Sequence, residues 1–444
     1  MRTDAPADST ERRGSEAEKP PPASGPDAAE HVSWQSRIGL NAANFFLAEL
    51  TAVVMPFLGD YLKGRQWSET ALGVAISLTG LGVFLMQAPA GWMVDRLPHR
   101  RGLLAGAALL LGACYGLIPL VLAQPAWIDP LLFIAGVAQA FFVPVLGALA
   151  LGLVGHEALN QTIGGHQSWN HAGNLMAAVL TMSLVHLFGL TAVFYALAVG
   201  SVLAAGSGFL IQEHEVDHPR ASGGNRRQGE ISFGELIHDR RVWVLLASAG
   251  LYHLAGAPVM PFLGAYIKQL GGSHTQVGCL VLIPQAIMIP LALAAGWLCD
   301  HWGRKWLFVV ACVVLPLRIF LFSLTQDPWQ LVAIQCLDGI GTGLYGVVIV
   351  AMCADLTRGK GGFNTLSGLI ATALAVGGVI GPLGAGLLAA RLGYHGFFCV
   401  FAGIGVVAAV VFTIWMPETG EPNESDGRKE LARESSVAAD KPLP

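Results

Sequence analysis

This sequence has little charge. Only 13% of its 444 residues are Asp, Glu, Lys or Arg, while 53% are hydrophobic. That is too little charge for a soluble exterior and too much apolar surface for one soluble core to hide. An apolar stretch is lacking before Ile38: the first 35 residues are rich in Pro, Ala, Ser and Glu and are expected to form a disordered tail and not a signal sequence. Period-two alternation is absent from the apolar runs, which stay apolar for about twenty residues or more, and this excludes barrel strands. The seven cysteines (Cys114, Cys279, Cys299, Cys312, Cys336, Cys353 and Cys399) have neither the spacing of a metal site nor that of a disulfide framework and are expected to pack as small residues. Nucleotide loops, nucleophile elbows and metal motifs are missing, which argues against an enzyme and implies no cofactor and no metal.

What the chain does have is long apolar segments. Hydropathy and turn signals predict twelve, at 36–60, 69–94, 102–123, 129–154, 164–188, 190–211, 242–268, 274–299, 305–325, 329–356, 363–390 and 393–416. Each is long enough to cross about 30 Å of hydrocarbon as a helix, the only alternative to a closed barrel for satisfying backbone groups in lipid. The expectation is an all-α membrane protein: an N-terminal tail 1–35, six helices over 36–211, a linker 212–241, six more helices over 242–416, and a second disordered tail 417–444. Within the linker, 231–239 has enough alternation for a short surface helix. Of the 26 Lys and Arg, twelve fall in or at the edge of loops on the side of the tails, eight in the tails and Arg37 beside them at the start of the first span, four in or at the edge of the opposite loops, and one, Arg318, deep inside a span. By the positive-inside rule both termini are cytoplasmic.

The chain also carries an internal duplication. Val54-Met55-Pro56-Phe57-Leu58-Gly59 recurs as Val259-Met260-Pro261-Phe262-Leu263-Gly264, and the register continues through Tyr61/Tyr266, Lys63/Lys268, Ser68/Ser273, Thr70/Thr275 and Gly73/Gly278. It ends on Gly91-Trp92-x-x-Asp95 and Gly296-Trp297-x-x-Asp300. Of 42 positions from 54 to 95, 15 are identical 205 residues on, where chance would give about three.

The charged loop that closes this repeat, Gly91-x-x-x-Asp95-Arg96-x-x-x-Arg100-Arg101, resembles the signature of the major facilitator superfamily. Its copy, Gly296 to Lys305, follows the eighth span, where that family repeats it. The resemblance covers 36–416 and implies two pseudo-symmetric six-helix bundles rocking about a midplane site. It further implies that Asp95, with Arg96 and Arg100, latches one state across the bundle interface; the alternative is that these residues are topology anchors only. The second copy keeps Asp300, Arg304 and Lys305 but has His301 in place of Arg, so its latch should be weaker or pH-sensitive. The chain departs from the family's proton-coupled drug exporters in the fourth span: no Lys or Arg occurs between Gly102 and His218, so their arginine is absent. Their Gly-Pro run is missing from the fifth span, while the eleventh has Gly377-Gly378-Val379-Ile380-Gly381-Pro382-Leu383-Gly384-Ala385-Gly386.

Polar side chains in lipid are costly, so those inside spans mark the transport path. Asn41, Asn44 and Glu49 share one face of the first span, within an arc of about 140°. Glu49 is the only acid between Ile38 and Gly59 and is the candidate proton carrier; a packing role with a buried donor is the alternative. In the fifth span His166, Gln167, Asn170, His171 and Asn174 share one broad face. Asn170, His171 and Asn174 are the better site candidates because the span's start lies near the aqueous end. His166 and His171, about 140° apart, do not suit one metal ion. In the second half Tyr252, His253, Gln285 and Asp338 are intramembrane candidates, and Arg318 has Asp338 as its natural partner, either as a structural ion pair or as a proton relay. Gln87, Gln139 and His186 are expected to be helix–helix contacts.

The function expected is alternating-access transport, as proton-coupled export of a small organic solute or drug. The alternatives are import or facilitation of a polar metabolite and, more remotely, a membrane sensor or enzyme. The implied partners are a small-molecule solute, protons and the lipid bilayer of a bacterial-type inner membrane, with no nucleic acid, and the implied state is a monomer.

Overall fold

A computed structural model describes residues 32–48, 50, 54–121, 124–221, 238–357 and 363–419, with the backbone alone at 156–168, 220, 292, 293, 295–297, 300, 363 and 364. Among these residues the secondary structure is helical throughout. The helices are α1 (Trp34–Ala48), α2 (Val54–Gly64), α3 (Glu69–Arg96), α4 (Arg100–Leu117), α5 (Pro125–Gln139), α6 (Phe142–Phe188), α7 (Ala192–Leu210), α8 (Arg240–Gly256), α9 (Val259–Gln269), α10 (His274–Trp302), α11 (Arg304–Phe322), α12 (Pro328–Ile334), α13 (Cys336–Leu356) and α14 (Phe363–Trp415). Ten stretches of the described residues are long and apolar enough to cross a membrane, the last of them, Thr365–Trp415, containing two of the expected spans.

Several expected spans are subdivided or joined, and the reasons are local. The seventh is two helices, because Pro258 cannot donate a backbone hydrogen bond and instead starts α9. The tenth breaks at Gln335, between α12 and α13. The fourth and fifth expected spans are joined through α6, where Gly155, at φ 72°, ψ 179°, is the break. Gly393, at φ 70°, ψ 179°, does the same in α14. Both conformations are costly for residues with a Cβ. The expected loop at 155–163 is therefore replaced by helical backbone that resumes directly after Gly155. The expected linker helix at 231–239 and nearly all of the tail 1–35 lie outside the described residues.

The large exposed side chains are mostly apolar, among them Phe188, Val199, Val202, Leu187 and Ile414, the exterior that a lipid-facing surface requires. Within the first half α4 packs on α7, α3 on α5, and α1 on α6 and α7; within the second, α8 packs on α14, α11 on α13 and α14, and α10 on α13. Four pairs join the halves among the described residues: α2 with α9, α3 with α14, α6 with α10, and α2 with α10.

The α2–α9 contact is built by the duplicated hexapeptide meeting its own copy. A Cβ on Gly59 would overlap the carbonyl oxygen of Pro261, and one on Gly264 would overlap that of Pro56. Each glycine lets the other half's backbone approach to contact distance. Along α3, Gly73 and Gly80 also approach the backbone of α14 closely, at Pro382, Gly386 and Gly378, whereas Gly91, further along, has open space where a Cβ would be; so has Gly368, towards the other end of α14. The halves thus make their closest recorded backbone approaches, and are shut, towards the face opposite the chain termini.

A Gly59→Ala substitution should prevent this closure. Hydrogen exchange of the full protein in lipid nanodiscs is expected to show lost protection over 54–64 and 259–269, with thermal stability lowered by about 1–3 kcal/mol; native-like protection would show that the backbone contact does not hold the face shut.

Candidate functional site

The polar face of α6 lies between the halves. Gly173 lets α6 press against the Phe45 backbone of α1, and Phe45 meets Trp169 edge to face with ring centroids 6.5 Å apart. Asn41 sits one turn before Phe45, half-buried. Asn44 is turned away from this contact and donates to its own helix at the Leu40 carbonyl, 2.9 Å. On α6, Asn174 donates to Asn170 at 3.3 Å, and its own buried side-chain oxygen has no hydrogen-bond partner among the described residues. One turn from Asn174, His171 crosses to the other half: its Nδ1 lies 2.8 Å from Oε1 of Gln285 on α10. Two expected site residues, one from each half, are in direct contact.

The second half holds a separate polar cluster. Arg318 on α11 forms an ion pair with Asp338 on α13. Thr342 donates to Asp338 at 2.7 Å, and Gln335, fully buried, lies 3.5 Å from the Arg318 guanidinium. Tyr252 on α8 stacks on Tyr345 with ring centroids 4.2 Å apart and feels the charges of both Asp338 and Arg318. His253, the next residue, points instead towards α14, where its Nε2 would meet a Cβ at Gly378. Tyr252 and His253 therefore belong to different surroundings. Thr342, which completes the ion pair, was not among the sequence candidates; its spacing of four residues from Asp338 places the two on one helical side. Glu49, the expected proton carrier, and the side chains of His166, Gln167 and Asp300 lie outside the described residues.

The charged loop after α3 grips its own half. Arg96 lies over the Trp92 ring, 4.4 Å from its centroid. Arg100, only 2% exposed, brings Nη1 to 3.1 Å from Nδ1 of His218 and also feels the charge of Asp95. Arg101 donates to the Ile211 carbonyl at 2.7 Å and pairs with Glu213. The segment after α7 that receives these arginines also binds the start of α1, where Ser33 donates to Glu215 at 3.0 Å. Burial alone would raise the Glu215 carboxyl, but hydrogen bonds from Ser36 and Ser33 hold it below its ordinary value.

The second copy repeats the grip with other groups. Glu418, 205 positions after Glu213, accepts from the backbone nitrogens of Arg304 and Lys305 at 2.9 and 3.2 Å, and Arg304 pairs with Asp355 at 2.9 Å.

On the shut face, two polar contacts cross between the halves that the sequence candidates did not include. Tyr394 donates to Glu69 at 2.7 Å, and Nδ1 of His274 lies 2.5 Å from Asp60 Oδ2. The available signal was that Glu69 and His274 occupy equivalent positions in the duplication, each following a serine that caps its helix.

The arrangement is that of a two-part membrane protein whose halves meet through polar groups near mid-helix, and comparison with known proteins agrees. The family model described as Major Facilitator Superfamily matches residues 38–257 and 245–442. The chain belongs to the Major Facilitator Superfamily. Among its superfamily relatives, an uncharacterized MFS-type transporter of Mycobacterium tuberculosis is 32% identical over 389 residues, spanning 86% of this chain and 93% of the relative. Multidrug resistance protein MdtG of Salmonella paratyphi B is 24% identical over 395 residues, spanning 85% and 95%. Among solved structures, the nucleoside transporter NupG gives a TM-score of 0.66 at 16% identity, covering 85% of this chain and 98% of that one, and a point mutant of it gives 0.68. These last two matches establish the fold alone. The protein is accordingly a multi-pass membrane transporter of small solutes, of a superfamily and fold that are not enzymatic.

The Arg318–Asp338 pair can be assigned by substitution. Asp338→Ala leaves a guanidinium that is 3% exposed without its counter-ion and is expected to cost about 3–5 kcal/mol in thermal unfolding of the detergent-purified protein. Replacing both, Arg318→Met with Asp338→Leu, should restore most of that stability. Native transport by the double variant would make the pair purely structural.

Proposed function

We propose that this chain exports a small organic solute in exchange for protons, by rocking its two six-helix bundles, 36–211 and 242–416, about a site between α1, α6, α8, α10 and α13. The observation that carries the reading is the His171–Gln285 contact: polar side chains of the two halves meet there, in chain segments that lipid would otherwise disfavour. A solute able to hydrogen-bond with imidazole and amide groups replaces that contact and gains partners from both halves at once. Because its partners then differ between the two states, its binding is able to shift the equilibrium between them.

Asn41, Asn170, His171, Asn174 and Gln285 are assigned to solute binding, with Asn44, Tyr252 and His253 at its margins. Glu49, on the face of the first span shared with Asn41, is assigned the transported proton, and Asp338, paired with Arg318, stands beside Tyr252 as a second acidic group for coupling. Export is favoured by the resemblance to the multidrug resistance protein MdtG and by the acid placed among amides in the first span. The termini lie in the cytoplasm, as the distribution of basic residues requires, so the shut face is the outer one. The protein acts as a monomer in a bacterial inner membrane, with the solute, protons and lipid as its partners.

In this cycle the loop Gly91 to Arg101 trades contacts. In the state observed, Arg100 and Arg101 are held by His218, Ile211 and Glu213. On closure of the terminal face, Asp95 with Arg96 and Arg100 latches across the interface, while the second copy, built on Gly296 and Asp300 with His301 beside them, contributes less.

Solutes are first found by thermal shift of the purified protein against a library at two pH values, since a ligand stabilises the state it binds. Proton-driven flux of a hit into everted vesicles should then be abolished by Glu49→Gln while the variant remains folded; unchanged flux would sink the coupling assignment. In the same assay Asp95→Asn is expected to impair transport far more than Asp300→Asn. Equal losses would mean that the two copies of the loop act alike.

A further inference from the structure

The shut face carries a buried acid that neither the proposed transport site nor the loop after α3 uses. Asp60, in the last turns of α2, has a side chain only 1% exposed, and its Oδ1 has no hydrogen-bond partner among the described residues. It belongs to the first half alone, since the duplicated position holds Ala265. Its partner comes from the other half: His274, the first residue of α10, places Nδ1 2.5 Å from Asp60 Oδ2 while 36% of its own side chain stays exposed. The carboxylate is sealed in the interface, and the imidazole that faces it is reachable from solution.

Other charged groups of this region are engaged elsewhere. Lys63 of α2 pairs with Glu69 of α3, which also accepts from Tyr394 of α14. Arg65 lies over the Tyr61 ring, 3.6 Å from its centroid, and Tyr61 in turn feels Tyr195 of α7. Tyr266 of α9 stacks on Tyr394, and the Lys268 side chain of α9 runs past Gly64. His186 stands in the last turn of α6. His274 is thus the cationic partner the structure gives Asp60.

We propose that Asp60 and His274 form a proton-binding site between the halves: the face opposite the termini closes with a proton held by the pair, and opening returns that proton to the solution on the same face. A buried carboxylate is strongly disfavoured without an opposing cation, and histidine is the side chain whose charge ordinarily changes near neutral pH. The protonated imidazole gains Asp60 only when the face is shut, so proton binding and closure reinforce each other. Lowering the pH on that face therefore favours the shut state. Raising it leaves Asp60 opposed by a neutral ring and favours opening. The site is independent of the solute and of Glu49: it sets how readily one face closes, whichever group carries the transported proton.

Hydrogen exchange of the full-length protein in lipid nanodiscs tests this, read over 54–64 and 259–269 between about pH 5.5 and 8.5 with labelling times scaled to the intrinsic rate. In the native protein the ratio of shut to open should fall with rising pH, by up to about tenfold per pH unit for one linked proton. His274→Gln keeps a hydrogen-bond donor for Asp60 but cannot change charge, and should give a flat profile. Asp60→Asn should be flat as well, and supplies the same comparison if the first variant folds poorly. Glu49→Gln should keep the native slope even where it abolishes flux, which separates this site from the coupling assignment above. A native profile without slope, a slope that persists in His274→Gln, or one lost in Glu49→Gln and kept in the histidine variant would each overturn the assignment.

Discussion

Two reciprocal backbone contacts hold the observed state together. Gly59 lies against the Pro261 carbonyl and Gly264 against the Pro56 carbonyl, so a single hexapeptide, duplicated, serves as both surfaces of one interface. Because the contact is made by main chain, its fit depends on the absence of two Cβ atoms and not on side-chain rotamers. Pro258 and Pro56 lie close by, and the break between α8 and α9 gives that arm of the interface its own direction.

Around this dry contact the polar groups divide by depth. Near mid-helix, an imidazole and an amide meet across the halves, His171 with Gln285. At the rim of the shut face, the crossing pairs are ionisable: Glu69 with Tyr394, and Asp60 with His274. A charge buried at a rim is exposed again once the halves part, whereas the same charge at mid-helix would have to find a partner within the membrane in both states. Arg318 is paired with Asp338 within its own half.

Towards the termini, each half braces itself. Glu213 and Glu418 follow the sixth expected helix of their halves and both turn back onto the start of the third, Glu213 through the Arg101 side chain and Glu418 through the backbone nitrogens of Arg304 and Lys305. The duplication is thus conserved as a geometry even where its chemistry has changed: a carboxylate meets a guanidinium in one copy and a helix N-terminus in the other. The first half is the more elaborate, with Glu215 bonded to Ser33 and Arg100 buried beside His218.

The sequence by itself determined that this is a membrane protein of long helices built from two copies, because burial in lipid demands apolar runs of a certain length and duplication leaves identities at a fixed offset. It also made the glycines at 59 and 264 and the charged loops conspicuous. What it did not contain was which polar residues face each other. His171 and Gln285 were both legible as intramembrane polar groups, yet their contact depends on how α6 and α10 are rotated and on which face of the protein is shut. Asp60 and His274 lie 214 residues apart, one near the end of a helix and the other at the start of another, positions where a charged residue ordinarily meets water and draws no attention. Only the tertiary structure decided that the two meet, since it alone fixes which helix ends come together when the halves close. The breaks at Gly155 and Gly393 fall where expected spans end and begin; what the sequence did not show is that helical backbone continues directly beyond each glycine, because a glycine's φ is set by the packing of the helices it joins.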